Sequence, residues 1–244
     1  MLWKPTNTSG LTLFLVIMLA SRLQVAGNPV ASDGCILPRL YGAVGDGVHD
    51  DTTALQDAIF AAFNATIDVH VPGWHNEPVG PAVCLEPGEY LITDTLNFTH
   101  SFAKPSGCAP SIRALGSAAI RMDSSASHAP RDLLSVPNAF HWSASGITFI
   151  GGRDQLFLGN NNTDEAMIQI ASCTFHSSAG SAIRTQKPTP GHRGSSTWPT
   201  NQPLRNRGTF STQITVRDCK FIGCNQVLIN WGVRLLHPAN DPSI

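Results

Sequence analysis

Between Glu165 and Asp218 the chain holds no acidic residue, yet it carries Arg184, Lys187, Arg193, Arg205, Arg207 and Arg217, with His176 and His192 beside them. Guanidinium groups in such a setting suit carboxylates, which they grip through two parallel N–H donors. Trp198 stands in the same stretch and offers a flat face for a sugar ring, and Lys220 follows just beyond Asp218. Arg184, Lys187, Arg193, Trp198, Arg205, Arg207 and Lys220 are therefore the candidate substrate-binding residues, and the ligand they suit is a glycan bearing carboxylates. Most of them fall in the segment 185–213, long for a connection inside a compact domain. Its Pro- and Gly-rich composition equally describes a disordered insertion whose arginines are merely solvated.

Other constellations are weaker. Asn160-Asn161-Asn162-Thr163-Asp164-Glu165 offers oxygen ligands of the kind Ca²⁺ takes, but such a run is more often a solvated turn. Arg153 and Asp154, after Gly151-Gly152, read as a turn. No cofactor is expected. All six cysteines (Cys35, Cys84, Cys108, Cys173, Cys219 and Cys224) lie after residue 27, and six allow up to three disulfides in too many connectivities to choose one.

Positioning these groups requires elements, and three segments share one template. Aligned on Phe149, Phe175 and Phe221, the pairs Trp142/Ala144, Ile168/Ile170 and Ile214/Val216 fall into one register, as do Ile147, Cys173 and Cys219. Phe157, Ile183 and Ile229 stand eight residues past each Phe. Segments 142–158, 168–184 and 214–230 thus each read as three short alternating strands. One strand triplet per repeat is what a parallel β-helix needs, because each coil buries its apolar positions only by stacking on the next. An antiparallel sandwich also has short alternating strands but gives no reason for a position-by-position match. The fold class expected is all-β, a parallel β-helix. Cys173 and Cys219 then read as a buried apolar ladder: their Cα spacing is one disulfides accept, but parallel-pointing side chains keep the Cβ atoms wider than a disulfide prefers.

In that register Ser143, Gln169 and Thr215 face outward on the first strand, and Thr148, Thr174 and Lys220 on the second. Glycoside hydrolysis generally uses two carboxylates, and these outward positions supply none. β-Elimination from a uronate fits better, since it needs cations about the sugar carboxylate and a strong base such as Arg or Lys. The rival reading is a non-catalytic carbohydrate-binding or structural β-helix.

Tyr41-Gly42-Ala43-Val44-Gly45-Asp46-Gly47-Val48-His49-Asp50-Asp51-Thr52-Thr53-Ala54-Leu55-Gln56-Asp57-Ala58-Ile59 reads as a short strand, a glycine turn and a helix N-capped by Asp50 or Asp51. Leu55, Ala58, Ile59, Ala62 and Phe63 recur at helical spacing and face a core. This stretch resembles, nearly residue for residue, the opening signature of the pectate lyase superfamily domain. Leu85-Glu86-Pro87-Gly88-Glu89-Tyr90-Leu91-Ile92 looks like that family's first rung. The resemblance covers most of residues 37–184 and implies a right-handed parallel β-helix with an N-terminal capping α-helix. It implies no single activity, because the family mixes lyases, glycoside hydrolases, epimerases and phage proteins. Members are typically longer, and only 14 residues follow Asn230, so a C-terminally truncated glycoside hydrolase relative is a further alternative.

The address is read from the first residues. Lys4, the apolar run Leu11–Ala20, and Val25 with Gly27 make the three parts of a secretory signal peptide over 1–27. The run is too short to span a bilayer, so no membrane association is expected after cleavage. A cap segment over 28–75 and rungs over 76–244 follow. Sequons at Asn64, Asn97 and Asn161 suit a secreted, extracellular glycoprotein. The formal charge of −1 gives no overall field that would recruit nucleic acid. Any electrostatic partner must be local, and an acidic polysaccharide is the expectation.

Overall fold

The computed structural model describes residues 30–31, 34–69, 77–98, 109–124, 131–136, 141–158, 165–185 and 211–229. Its strands stack in parallel into successive coils. The first sheet runs, in order, Cys35–Ile36, Ala82–Leu85, Ile112–Met122, Ser143–Ile150, Glu165–Ala171 and Ser211–Arg217. The second takes Asp46–Asp50, Gly88–Ile92, the far ends of Ile112–Met122 and Ser143–Ile150, then Thr174–His176 and Lys220–Ile222. The third stacks Leu96–Asn97, Leu134–Val136, Leu156–Leu158, Ser181–Thr185 and Gln226–Ile229. Two antiparallel pairs, Val30–Ala31 with Cys35–Ile36 and Ile67–Val69 with Glu77–Val79, stand outside this pattern.

Alternation decides which side chains fill the interior. Ile36, Val83, Ile112, Ala144, Ile170 and Val216 lie in one register, all buried. Along the second sheet Tyr90, Ile120, Phe149, Phe175 and Phe221 share one register, the first four buried and Phe221 partly so. The Phe149 and Phe175 rings stack at 5.2 Å and those of Phe175 and Phe221 at 5.1 Å. Each such burial contributes about 1.5–3 kcal/mol, and no coil makes it alone.

The template continues through the corners. His141 and Met167, eight residues before their Phe, have φ of 55° and 57°. Gly146, Ser172 and Asp218, three before, have 72°, 54° and 54°. Gly151, Ser177 and Gly223, two after, have 74°, 58° and 60°. A left-handed residue at each of these positions lets the chain turn from one sheet into the next.

One expected ladder is wrong. Phe157, Ile183 and Ile229 do not share an inward row, because Leu156 pairs with Ile183 and Ile183 with Leu228, whereas Phe157 pairs with Arg184 and Arg184 with Ile229. The corner from Phe175 to Ile183 holds one residue more than those from Phe149 to Leu156 and from Phe221 to Leu228. A one-residue shift moves a strand side chain to the other face.

The helix, α1, spans Thr52–Ala65. Leu55, Ala58, Ile59, Ala62 and Phe63 join one core cluster with Ile36, Val83 and Leu85. Its N-cap is Asp51, but that carboxylate makes no cap bond to the helix. It turns back and accepts the N–H groups of Val44 (2.7 Å) and Gly45 (3.1 Å), fixing the glycine turn. Asp50 accepts the Thr52 N–H instead, at 3.0 Å.

The strands before residue 75, Cys35–Ile36 and Asp46–Asp50, pair with Ala82–Leu85 and Gly88–Ile92, so a coil already precedes the segment read as the first rung. A disulfide joins Cys35 to Cys84, Cα atoms 5.5 Å apart. Cys173, Cys219 and Cys224 carry free thiols, and Cys108 lies outside the described residues. Among the described residues no helix is long and apolar enough to cross a membrane.

Candidate functional site

Outward residues of the first sheet form two stacked rows. Ser111, Ser143, Gln169 and Thr215 make one; Arg113, Ser145, Ala171 and Arg217 make the other. His141 and Met167 flank the first row from their left-handed corners. Together His141, Ser143, Met167, Gln169 and Thr215, with Trp142, line an open cleft of about 490 Å³. The Ser143 N–H donates to Ser111 Oγ at 3.2 Å, tying the floor of one coil to the next. No outward strand position in these two rows carries a carboxylate among the described residues.

Cations separate cleanly by partner. Arg39 pairs with Glu86, Arg121 with Glu89, and Arg131 with Asp94. Arg153 grips Asp132 through both of its carboxylate oxygens, at 2.9 and 2.8 Å, which raises the Arg153 pKa further. Arg113, Arg217 and Lys220 face no carboxylate among the described residues. Arg113 instead lays its guanidinium on the disulfide, Nε 3.2 Å from Cys84 Sγ and Nη2 3.1 Å from Cys35 Sγ. Arg113 and Arg217 lie three strand spacings apart on one row, roughly 14 Å at the usual parallel spacing. The floor between them is Ser145 and Ala171, so a ligand chain crossing the coils meets a cation near each end.

The structure divides the candidates read from sequence. Arg184 stands on the third sheet, its guanidinium carbon 4.4 Å from the Phe157 ring centre. Its Nε is 3.0 Å from buried Asp154 Oδ2, an ion contact whose angle makes no hydrogen bond. Asp154 in turn accepts the Ser181 N–H at 2.9 Å, so this group is built into the wall between coils. Lys220 is exposed on the second sheet in line with Thr148 and Thr174, on a different sheet from Arg184. Lys187, Arg193, Trp198, Arg205 and Arg207 lie outside the described residues, as does most of Asn160–Glu165, including Asn161. The described strands reach Thr185 and resume at Ser211, and residues 186–210 between them lie outside the described residues. Asn64 and Asn97 are exposed.

Sequence reading missed Arg113, His141 and Met167. Arg113 sits in a coil whose first corner holds three extra residues, since Arg113 pairs with Ser145 but Ala118 with Ile147. That coil also carries Ile120 where later ones carry Phe, which removes the anchor of the alignment. His141 and Met167 were findable: both stand eight residues before an aligned Phe.

No protein-family model matches the chain, and no curated protein matches it. Among solved structures it is similar to PfbA, a surface adhesin of Streptococcus pneumoniae, with a TM-score of 0.45 and 17% identity over 76% of this chain and 49% of that one. It is also similar to the A-module of the Azotobacter vinelandii mannuronan C-5 epimerase AlgE6, with a TM-score of 0.42 and 17% identity over 76% of this chain and 44% of that one. The chain spans about half the length of these structures or somewhat less. The parallel β-helix itself is shown by the strand pairing of this molecule.

Proposed function

We propose that this is an extracellular β-helix protein that binds an acidic, uronate-containing polysaccharide across the outer face of its first sheet. The observation carrying the reading is the partition of cations: the arginines paired with carboxylates lie elsewhere, while Arg113 and Arg217 stand on the outward row next to the one lining the cleft, without a carboxylate among the described residues. Gln169, Thr215 and Ser143 supply neutral donors and acceptors for sugar hydroxyls. The segment 186–210 returns to the fold at Ser211, four residues before Thr215, so Arg193, Trp198, Arg205 and Arg207 belong to the same binding region in this reading. Helix α1 acts as the cap over the N-terminal coil, and residues 1–27 direct export.

Binding is favoured over turnover. An acid–base pair must be held in place by its own partners, and the Arg217 and Lys220 side chains are exposed with no side-chain hydrogen bond among the described residues to fix them. If a uronate is turned over here, β-elimination is the chemistry this carboxylate-free face suits.

Calorimetry of the full chain with a polyuronate and with a neutral glucan of equal length, at low and high salt, tests the reading. The polyuronate should bind more tightly, and the preference should shrink as salt screens the exposed charges. Arg217→Glu combined with Arg193→Glu, Arg205→Glu and Arg207→Glu should abolish it with the fold intact. Equal affinity for both glycans would refute the acidic-ligand reading.

A further inference from the structure

Cys173 and Cys219 hold the same inward position on consecutive coils, yet they are not equivalent. The flanking pairs Ala171/Arg217 and Thr174/Lys220, and the Lys220 N–H donated to the Cys173 carbonyl at 2.9 Å, place them opposite each other. Their Cα atoms are therefore about 4.8 Å apart, a spacing disulfides accept. Cys173 is fully buried, whereas Cys219 is partly exposed. The Cys173 sulfur lies 3.4 Å from the Ala171 carbonyl, and the Cys219 sulfur lies 3.3 Å from the Arg217 carbonyl and 3.7 Å from the Ile170 carbonyl of the coil before it.

We propose that this pair is a thiol–disulfide exchange site for low-molecular-weight disulfides, with Cys219 as the attacking sulfur and Cys173 as the resolving one. Cys219 thiolate attacks one sulfur of RSSR and expels RS⁻, leaving a mixed disulfide. Cys173 then gives up its proton to RS⁻ and attacks the Cys219 sulfur, expelling the second thiolate. Two protein thiols are oxidised to one Cys173–Cys219 disulfide, and RSSR is reduced to two RSH.

The electrostatics support this division of roles. The adjoining Cys173 thiol lowers the Cys219 pKa, against partial burial and the neighbouring Asp218 carboxylate. The neighbouring Cys219 sulfur and full burial raise the Cys173 thiol pKa. Parallel-pointing Cβ atoms sit wider than the roughly 3.8 Å a disulfide prefers, so the coils must draw together to close the bond. That fits a pair whose thiols are free here. Cys224 lies in the following corner, its Sγ 3.5 Å from the Phe175 carbonyl.

The native full chain is incubated with oxidised glutathione at neutral pH and mapped by mass spectrometry without reduction. A Cys173–Cys219 linked peptide is expected. Cys173→Ser should stop at a glutathione adduct on Cys219, and Cys219→Ser should leave Cys173 unmodified. Because either variant can disturb the core, initial alkylation rates are also read on the unaltered protein, where Cys219 should react at least tenfold faster than Cys173. Equal rates, a stable adduct in the unaltered protein without the link, or a link to Cys224 or Cys108 would overturn the proposal.

Discussion

At the scale of single residues, the corners govern the coil. A Cβ at Gly146 would meet the Ala114 methyl and carbonyl at ordinary contact, so its φ of 72°, not crowding, is the reason for glycine there. Ser172 and Asp218 adopt the same conformation with side chains, at roughly 1–2 kcal/mol each. Ser172→Gly should therefore stabilise the protein by up to about 1 kcal/mol, and Gly146→Val should cost about 1–2 kcal/mol, both read from urea midpoints. The N-terminal turn is governed by charge. Asp46 accepts the N–H groups of His49 and Val48 and contacts the His49 ring, which lowers its pKa to about 2. Burial opposes ionisation of Asp50, but hydrogen bonds from Thr52 and Thr93 outweigh it and lower that pKa too. A lowered carboxylate contributes stability above its unfolded pKa near 4 and loses it as pH falls through the folded value. Unfolding midpoints should accordingly drop between pH 4 and 2, and Asp46→Asn should flatten that dependence; an unchanged profile would remove Asp46 from the account.

At the scale of elements, one corner residue decides which face a strand shows. Phe157 is half-buried against Arg184, whereas Phe175 is fully buried between Phe149 and Phe221. Phe175→Ala should cost about 3–5 kcal/mol, and Phe157→Ala only about 1 kcal/mol from the lost cation–π and surface contact. Comparable losses in chemical denaturation would contradict the register. The contrast also marks what the sequence could reveal. Stacked coils need like residues at like positions, so Phe149, Phe175 and Phe221 announced the second sheet, and their neighbours announced the first. Corner length is set by local turn chemistry, which apolar periodicity does not report, so the third sheet was misread by one residue and the coil containing Arg113 was not seen. The outward row Ser143, Gln169 and Thr215 followed from alternation; the cleft beside it needed His141 and Met167, whose role depends on backbone conformation. For α1, Ile59 is fully buried on the face turned to Ile36 and Val83. Ile59→Asp buries an unpaired charge there and should lower stability by several kcal/mol in a thermal melt. An unchanged melting temperature would show that α1 does not dock.

At the scale of the whole molecule, a solenoid is held together by neighbours, so a perturbation at one end should be felt mainly at that end. The Cys35–Cys84 disulfide provides a clean perturbation. It spans 49 residues of sequence and encloses α1 together with the strand Asp46–Asp50. Reduction releases that loop in the unfolded chain and should cost about 2–4 kcal/mol. It also removes the sulfur pair on which Arg113 rests, while Ser143, Gln169 and Thr215 stay tied to coils further along. Hydrogen exchange should thus quicken in Asp46–Asp50 and Gly88–Ile92 after selective reduction, with Thr174–His176 and Lys220–Ile222 nearly unchanged. Uniform quickening across all coils would mean that the fold melts as one cooperative unit, and the division of labour between a stapled N-terminal end and a cleft further along would have to be abandoned.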